Sequence, residues 1–412
     1  MPADATASAR ASNPVPERGA IISGIGISRI GRRTGIPGLE LTLEAARGAL
    51  ADAGIDAREL SGIASIGDTP IDAVAAALDV DPGYDSAGFR TGGLLTPVMD
   101  ACFSVGSGRA RHILVYRTVQ MLGGDMLQSA GGGGRAAGGG GGGGRDAGPD
   151  EEGDVLAKAM GAMAPLLSAH AYSAANWLAM NCMRHMHEYG TTKEQLGWLA
   201  INTRRNAARN PLAVMREPIT MDDYLSARPV STPFGLLDCD LPVDGSIAVV
   251  VSTHEHADAL DHAAVHVEAI GGARGDGGWT NRADYPAMAS VDAAAEMWAR
   301  TDLRPADVDI AELYDGFTFL TFAWLEALGL VGEGEAGPFV EGATRIALDG
   351  ELPLNTYGGQ LSAGRMHGYW ILHEACVQLR GEGAERQVAR RPEVAVVANG
   401  GGPIAGCMLL TG

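Results

Sequence analysis

The chain has 412 residues, 46% hydrophobic and 20% charged, with a mean hydropathy of +0.03, which excludes a disordered or fibrous protein and suffices for a large core. With 31 Lys and Arg against 50 Asp and Glu, the net charge of −19 repels phosphate backbones and anionic lipid and argues against a nucleic-acid or membrane partner. No run approaches the ~18 apolar residues of a membrane span, the first residues lack the apolar core of a secretory leader, and a cytoplasmic protein is expected.

In chain order, residues 20–28 (AIISGIGIS) read as a strand and 41–55 as a helix with Gly54 near its end. Strand-like 60–67, helical 72–78 and 96–108, and strand-like 111–117 continue the alternation of a layered α/β fold. From 123 to 148 the sequence collapses into glycine, which buries nothing and loses the most entropy on ordering, so an exposed loop is expected there. No GK[ST] follows these glycines, so they are not a phosphate cradle. Helix formers dominate 155–225, with Thr192 as an N-cap, before a strand resumes at 246–253. The second half repeats the logic with strands at 263–273 and 307–317, helices at 290–303, 319–330 and 367–381, and a closing strand hairpin at 392–412. Two α/β units meeting near residue 255 are favoured over one very large sheet.

Five cysteines, Cys102, Cys182, Cys239, Cys376 and Cys407, are odd in number and never paired as CxxC, which excludes a disulfide framework or a zinc–thiolate site. Four histidines, His254, His256, His262 and His266, crowd the mid-chain connector, but without HExxH spacing they read as a solvated link rather than a metal centre. Three other motifs carry more chemistry. In AELYDGF, Tyr314 and Asp315 follow an apolar strand and precede Gly316, the carboxyl-end position where α/β sheets build sites. In LNTYGGQLSAGRMHGYW, Asn355, Arg365 and His367 stand among glycines that let backbone approach a ligand. In ANGGGPIAG, the N–H groups of Gly400, Gly401 and Gly402 are suited to an oxyanion hole.

Together these motifs resemble the thiolase superfamily, in its sterol-carrier-protein-x and lipid-transfer-protein branch. The resemblance runs in order through YGTTKEQLGWLAINTRRNAARNP, RPVSTPFGLLDCDLPVDGSIAVVV, AELYDGFT, NTYGGQLSAGRMHG and ANGGGPIAG, over most of the chain. It implies a thiolase fold of two pseudo-duplicated, five-layered α/β/α/β/α halves, 1–255 and 256–412, with a loop domain inserted at about 118–230 that includes the Gly-rich 131–148. An acyl-CoA substrate, no cofactor or metal, and a homodimer are implied with it. A working thiolase needs a cysteine nucleophile, an activating histidine and a second cysteine. Here the nucleophile position falls within Thr91 to Gly93, the histidine position reads Gly364, Arg365, Met366, and the second cysteine position is Ala398. Cys102 lies about ten residues further along its helix, ~15 Å away at 1.5 Å per residue. Arg365 stays protonated and is no base.

Losing all three groups points to different chemistry in the same pocket. The resemblance extends to thiolase-like retro-aldolases, lyases that cleave β-hydroxyacyl-CoA intermediates of steroid, lipid or aromatic side-chain degradation and work with a small zinc-ribbon/OB-fold partner. Such a reaction needs a base for the β-hydroxyl and support for a thioester enolate. The chain's two lysines, Lys158 and Lys193, do not sit where a Schiff base would form. The expected site is Tyr314 or His367 as base or acid, Asp315 orienting, and Arg365, Asn355, Gly93 and Gly400–Gly402 around the substrate. The steroid aldolases carry a second tyrosine where this chain has Arg365, a departure that bears on substrate or proton route. The competing readings are a 3-ketoacyl-CoA thiolase or acetyl-CoA acetyltransferase, and a non-catalytic acyl-CoA- or lipid-binding subunit.

Overall fold

The computed structural model describes residues 15–66, 69–81, 83–87, 93–121, 164–274 and 278–412. The Gly-rich segment, Lys158 and Thr91 lie outside the described residues. In the first half, β1 (Ala20–Ile27) leads to α1 (Gly38–Asp52), β2 (Gly62–Ser65), α2 (Ile71–Leu78), β3 (Tyr84–Ala87), α3 (Thr96–Gly106) and β4 (His112–Gln120). The helices α4 (Ala174–Tyr189), α5 (Lys193–Ala208) and α6 (Met221–Leu225) and the short pair β5 (Pro229–Ser231) and β6 (Phe234–Gly235) follow, and β7 (Asp244–Thr253) closes the half. The second half comprises β8 (Val265–Arg274), α7 (Ala289–Trp298), β9 (Ile310–Leu313), α8 (Thr318–Ala327), α9 (Ala336–Val340), α10 (Tyr369–Arg380), β10 (Val394–Gly401) and β11 (Ile404–Thr411).

Nine strands form one sheet in the order β3-β2-β4-β7-β1-β8-β11-β10-β9. Read outward from the β1–β8 seam, each side runs first strand, last strand, then earlier parallel strands, three beyond β7 and two beyond β11: a near-palindrome that makes the duplication visible. Leu354 bridges Ala311 of β9 where β3 lies against β2. The sequence favours two separate units over one large sheet, and the structure joins them through Ile21–His266 and Ile22–Val265. The physical reason is that β1 and β8 are each the inner edge of a half, and an unpaired buried edge leaves N–H and C=O groups without partners.

The strands are almost wholly buried and alternate between cores, as a period-2 chain must. Ile113, Val115, Ala395 and Val397 share a central core with side chains of α3 and α10. Leu114 and Tyr116 face an outer core with α1 and α2, whereas Val396 and Ala398 face another with α7 and α8. The central core surrounds α3 and α10 in the middle of the molecule, and the two outer cores lie on the other face of the strands. Each half brings its first strand close to its first helix through glycine. A Cβ on Gly26 would stand 2.1 Å from the Ala45 carbonyl oxygen, and one on Gly271 2.0 Å from that of Ala293. Replacing Gly26 with valine should therefore destabilise the fold by roughly 3 kcal/mol, the upper end of ordinary overpacking. Gly48 on the exposed face of α1 meets nothing closer than 3.5 Å, so Gly48→Ala should stabilise by up to ~1 kcal/mol. Chemical denaturation of the two variants measures both.

Candidate active site

The site forms at the carboxyl ends of β9 and β10, where three loops converge. The first is the turn after β9. Tyr314 donates its backbone N–H to the Ala398 carbonyl at 2.9 Å, and its ring folds back over Gly316, where an added Cβ would lie 2.6 Å from the ring and 3.2 Å from the phenol oxygen. Gly316 is thus required for the tyrosine's direction. Burial pushes the phenol up to about 12 against the nearby Arg365 charge, and the Gln360 side chain stands beside the hydroxyl. Tyr314 is therefore neutral near pH 7 and is a proton donor there.

The second loop, 355–368, enters α10. Asp315 is fully buried and its carboxylate accepts the backbone N–H groups of Gln360, at 2.8 Å, and Leu361, at 3.4 Å. Those bonds hold the turn Gly359–Ala363, and a Cβ at Gly359 would collide with the same carboxylate. The sequence assigns Asp315 to orienting the acid or base, whereas the structure spends both its oxygens on this backbone. Asn355, also fully buried, uses its side-chain oxygen on the Leu313 N–H at 2.7 Å and so fixes the end of β9.

Arg365 and His367 follow. Arg365 Nε donates to His367 Nε2 at 2.7 Å and pairs with Asp240 at 3.2 Å. From the other half, Arg117 within β4 reaches His367 Nδ1 at 2.5 Å and gives a further N–H to the Ile66 carbonyl. A neutral imidazole accepts at one nitrogen only, and an imidazolium at none. Burial and the two guanidiniums accordingly hold the His367 pKa well below its ordinary value. His367 also sits at φ 52, beside Gly368, which leaves room for Asn399 to donate to the His367 carbonyl at 3.0 Å.

The third loop is the Gly400–Gly402 hairpin turn. Trp324 donates to the Gly400 carbonyl at 3.0 Å, and Ala289 to that of Gly402 at 2.9 Å, fixing the turn from behind. Gly93 brings the other half against it, with its missing Cβ 3.7 Å from Ile404. Tyr314, Arg365, His367 and Gly93 all stand around these loops. Arg117, Asp240, Gln360 and Asn399 escaped the sequence reading. A lone arginine closing the apolar run RHILVYR was the available signal for the first.

Four cysteines, Cys102 among them, are buried, and burial pushes the Cys102 thiol up. Lys193 is ion-paired to Asp238 and lies over the Tyr224 ring at 4.4 Å, so it is engaged structurally. The histidine-rich connector packs on the end of α1, with His256 at 2.8 Å from the Ala53 carbonyl and His262 at 3.1 Å from that of Asp52. Among the described residues no group of three or more His, Cys, Asp or Glu is placed to hold a metal, and no helix is long and apolar enough to cross a membrane.

Comparison with known proteins agrees with this architecture. A family described as thiolase C-terminal domain-like matches residues 272–410. A steroid side-chain-cleaving aldolase from Thermomonospora curvata is 31% identical over 402 residues, 95% of this chain and 97% of that protein. The 17-hydroxy-3-oxo-4-pregnene-20-carboxyl-CoA lyase of Mycobacterium tuberculosis is 31% identical over 404 residues, 95% of this chain and 98% of that one. The solved Ltp2-ChsH2(DUF35) aldolase matches with a TM-score of 0.81 at 29% identity, covering 97% of this chain and 99% of its own. With 31% identity to two such relatives over nearly its full length, the chain belongs to the thiolase superfamily, among its thiolase-like aldolases.

Proposed function

We propose that this chain cleaves the Cα–Cβ bond of a β-hydroxyacyl-CoA by a retro-aldol reaction, on an acyl group from steroid side-chain breakdown. The names of the two relatives support the acyl class, and the DUF35 component of the solved aldolase supports a small partner protein. The partner is of the zinc-ribbon/OB-fold kind, the chain works as a homodimer, and no cofactor takes part beyond the CoA thioester.

The observation that carries the reading is the neutral Tyr314 phenol at the end of β9, with the Arg365 guanidinium nearby. In the reaction a base removes the β-hydroxyl proton, the Cα–Cβ bond breaks to leave a ketone or aldehyde, and its electron pair becomes a thioester enolate. One proton returned to Cα gives the shortened acyl-CoA, with nothing oxidised or reduced. Tyr314 supplies that proton or hydrogen-bonds the developing charge. Arg365 and the N–H groups of the Gly400–Gly402 turn face the enolate oxygen. His367, kept neutral, lies between Arg117 and Arg365 and accepts from one of them.

The decisive assay incubates the protein, with its partner, on a sterol-derived β-hydroxyacyl-CoA with and without free CoA. Cleavage without CoA is expected. A strict CoA requirement would mean a thiolase, and binding without turnover a scaffold subunit. Tyr314→Phe should fold and bind normally while kcat falls by ~10² to 10⁴, the size of a general acid contribution. Cys102→Ala should leave kcat within about threefold, because a buried, protonated thiol has no part in the reaction. A trapped acyl-thioester on Cys102 would overturn that expectation.

A further inference from the structure

The retro-aldol reading leaves the base for the β-hydroxyl to be found. His367 has an arginine on each ring nitrogen, and Tyr314 holds its proton too tightly. Asp315 is sealed against Gln360 and Leu361. Glu312, in β9, is fully buried, with its Oε1 bonded to the Thr356 N–H and hydroxyl. Each of these groups is excluded by geometry or by what it already binds.

Asp240 differs in every respect. Its backbone N–H donates to the Gly316 carbonyl at 3.1 Å, the residue over which the Tyr314 ring folds. The next residue, Leu241, donates to the Gln360 carbonyl at 2.9 Å and accepts from Arg365 N–H at 2.9 Å. Asp240 is therefore stitched to both loops that carry the site. Its side chain is 12% exposed, and the Arg365 pairing is its one carboxylate contact among the described residues, which leaves acceptor capacity for a further partner.

We infer that Asp240 is the general base of the cleavage, held in direction by Arg365 across the Nε–Oδ2 contact and paired with Tyr314 as the acid. The inference rests on the retro-aldol reading above. A base for the β-oxygen and an acid for Cα must serve atoms two bonds apart, so the two groups have to flank one small volume. Asp240 and Tyr314 do so on either side of the Gly316 peptide. The charged or titratable groups facing Asp240 are the Arg365 guanidinium, the Tyr314 phenol, the Asp315 carboxyl and the neighbouring Cys239 thiol, with His367 beyond Arg365. Burial pushes the Asp240 carboxyl up to about 6 while Arg365 pulls it down. A base is most effective with a pKa close to the operating pH.

The test is the pH profile of kcat/KM for the protein with its partner, on the β-hydroxyacyl-CoA that the wild type cleaves without free CoA. The wild type should lose activity below about pH 6 as Asp240 takes up a proton. Asp240→Asn should lower kcat by ~10² to 10⁴ with KM within about threefold, and should abolish that acid limb. Asp240→Glu should keep a limb at an intermediate rate. Arg365→Gln should move the limb to higher pH, because the charge that favours the carboxylate is gone. Thermal melting identifies any variant that fails to fold, and the remaining two then decide. An Asp240→Asn enzyme with wild-type kcat, or a limb that stays in place in folded Asp240→Asn or Arg365→Gln protein, overturns the inference. A wild type that does not cleave without CoA removes the retro-aldol reading itself, which separates the two failures.

Discussion

A helix buried on every side has to be placed by the polar groups at its ends. All twelve residues of α10, Tyr369–Arg380, are buried, and the chain that leads into it crosses the middle of the molecule. Every amide along that approach needs a partner or costs about 1–3 kcal/mol. Asn355 caps the last residue of β9, Glu312 takes the Thr356 N–H, Asp315 takes Gln360 and Leu361, and Asn399 takes the His367 carbonyl. At the far end Arg380 pairs with Asp52 of α1 at 2.7 Å. These bonds fix the loop that presents Arg365 and His367, so the site inherits its rigidity from the need to satisfy buried backbone.

The same constraint sorts the polar residues of the motifs by role. Glu312, Asp315 and Asn355 each accept backbone N–H groups and are the frame. Tyr314, Arg365 and Asp240 keep atoms for something else. His367 stands between the classes. It is held by arginines from two halves of the chain, and protonating it would place a third cation between them, so it serves as a fixed neutral acceptor. A charge cluster this tight resists rearrangement when an enolate forms, which is what preorganised electrostatic support requires.

Much of this was legible in the sequence. Apolar runs marked β1, β4, β7 and β10, helical spacing marked α1, α7 and α10, and Thr192 caps α5 with its side chain on the Gln195 N–H. Tyr314 and His367 were found because glycines flank them, and glycine marks close backbone approach. Asp240 and Arg117 were hidden for opposite reasons. Asp240 looks like one more acid in a chain with 50 of them, and only its bonds to Gly316 and Arg365 distinguish it. Arg117 sits in an apolar strand whose partner half begins well over a hundred residues later, and periodicity holds no information about a contact that distant in the chain. The β1–β8 seam was missed similarly, because only two residue pairs make it.

The duplication explains why the site belongs to neither half. The near-palindromic strand order sets β2 in the place that β9 occupies, so Ile66, just past β2, is the counterpart of Tyr314, just past β9. The first half uses that position to hold an arginine, through the Ile66 carbonyl and Arg117, and the second half uses it for an acid. The inner helices α3 and α10 have diverged in the same way. One carries an inert buried Cys102, whereas the other is entered through Arg365 and His367. Proton transfer at an enolate requires a donor and a cation within reach of one carbon, and a single half supplies only part of that set. Arg117 acting on His367, and Gly93 packed on Ile404, are the contacts by which the two copies complete it. Any change that loosens the seam between the halves therefore acts on the position of His367 before it acts on the cores.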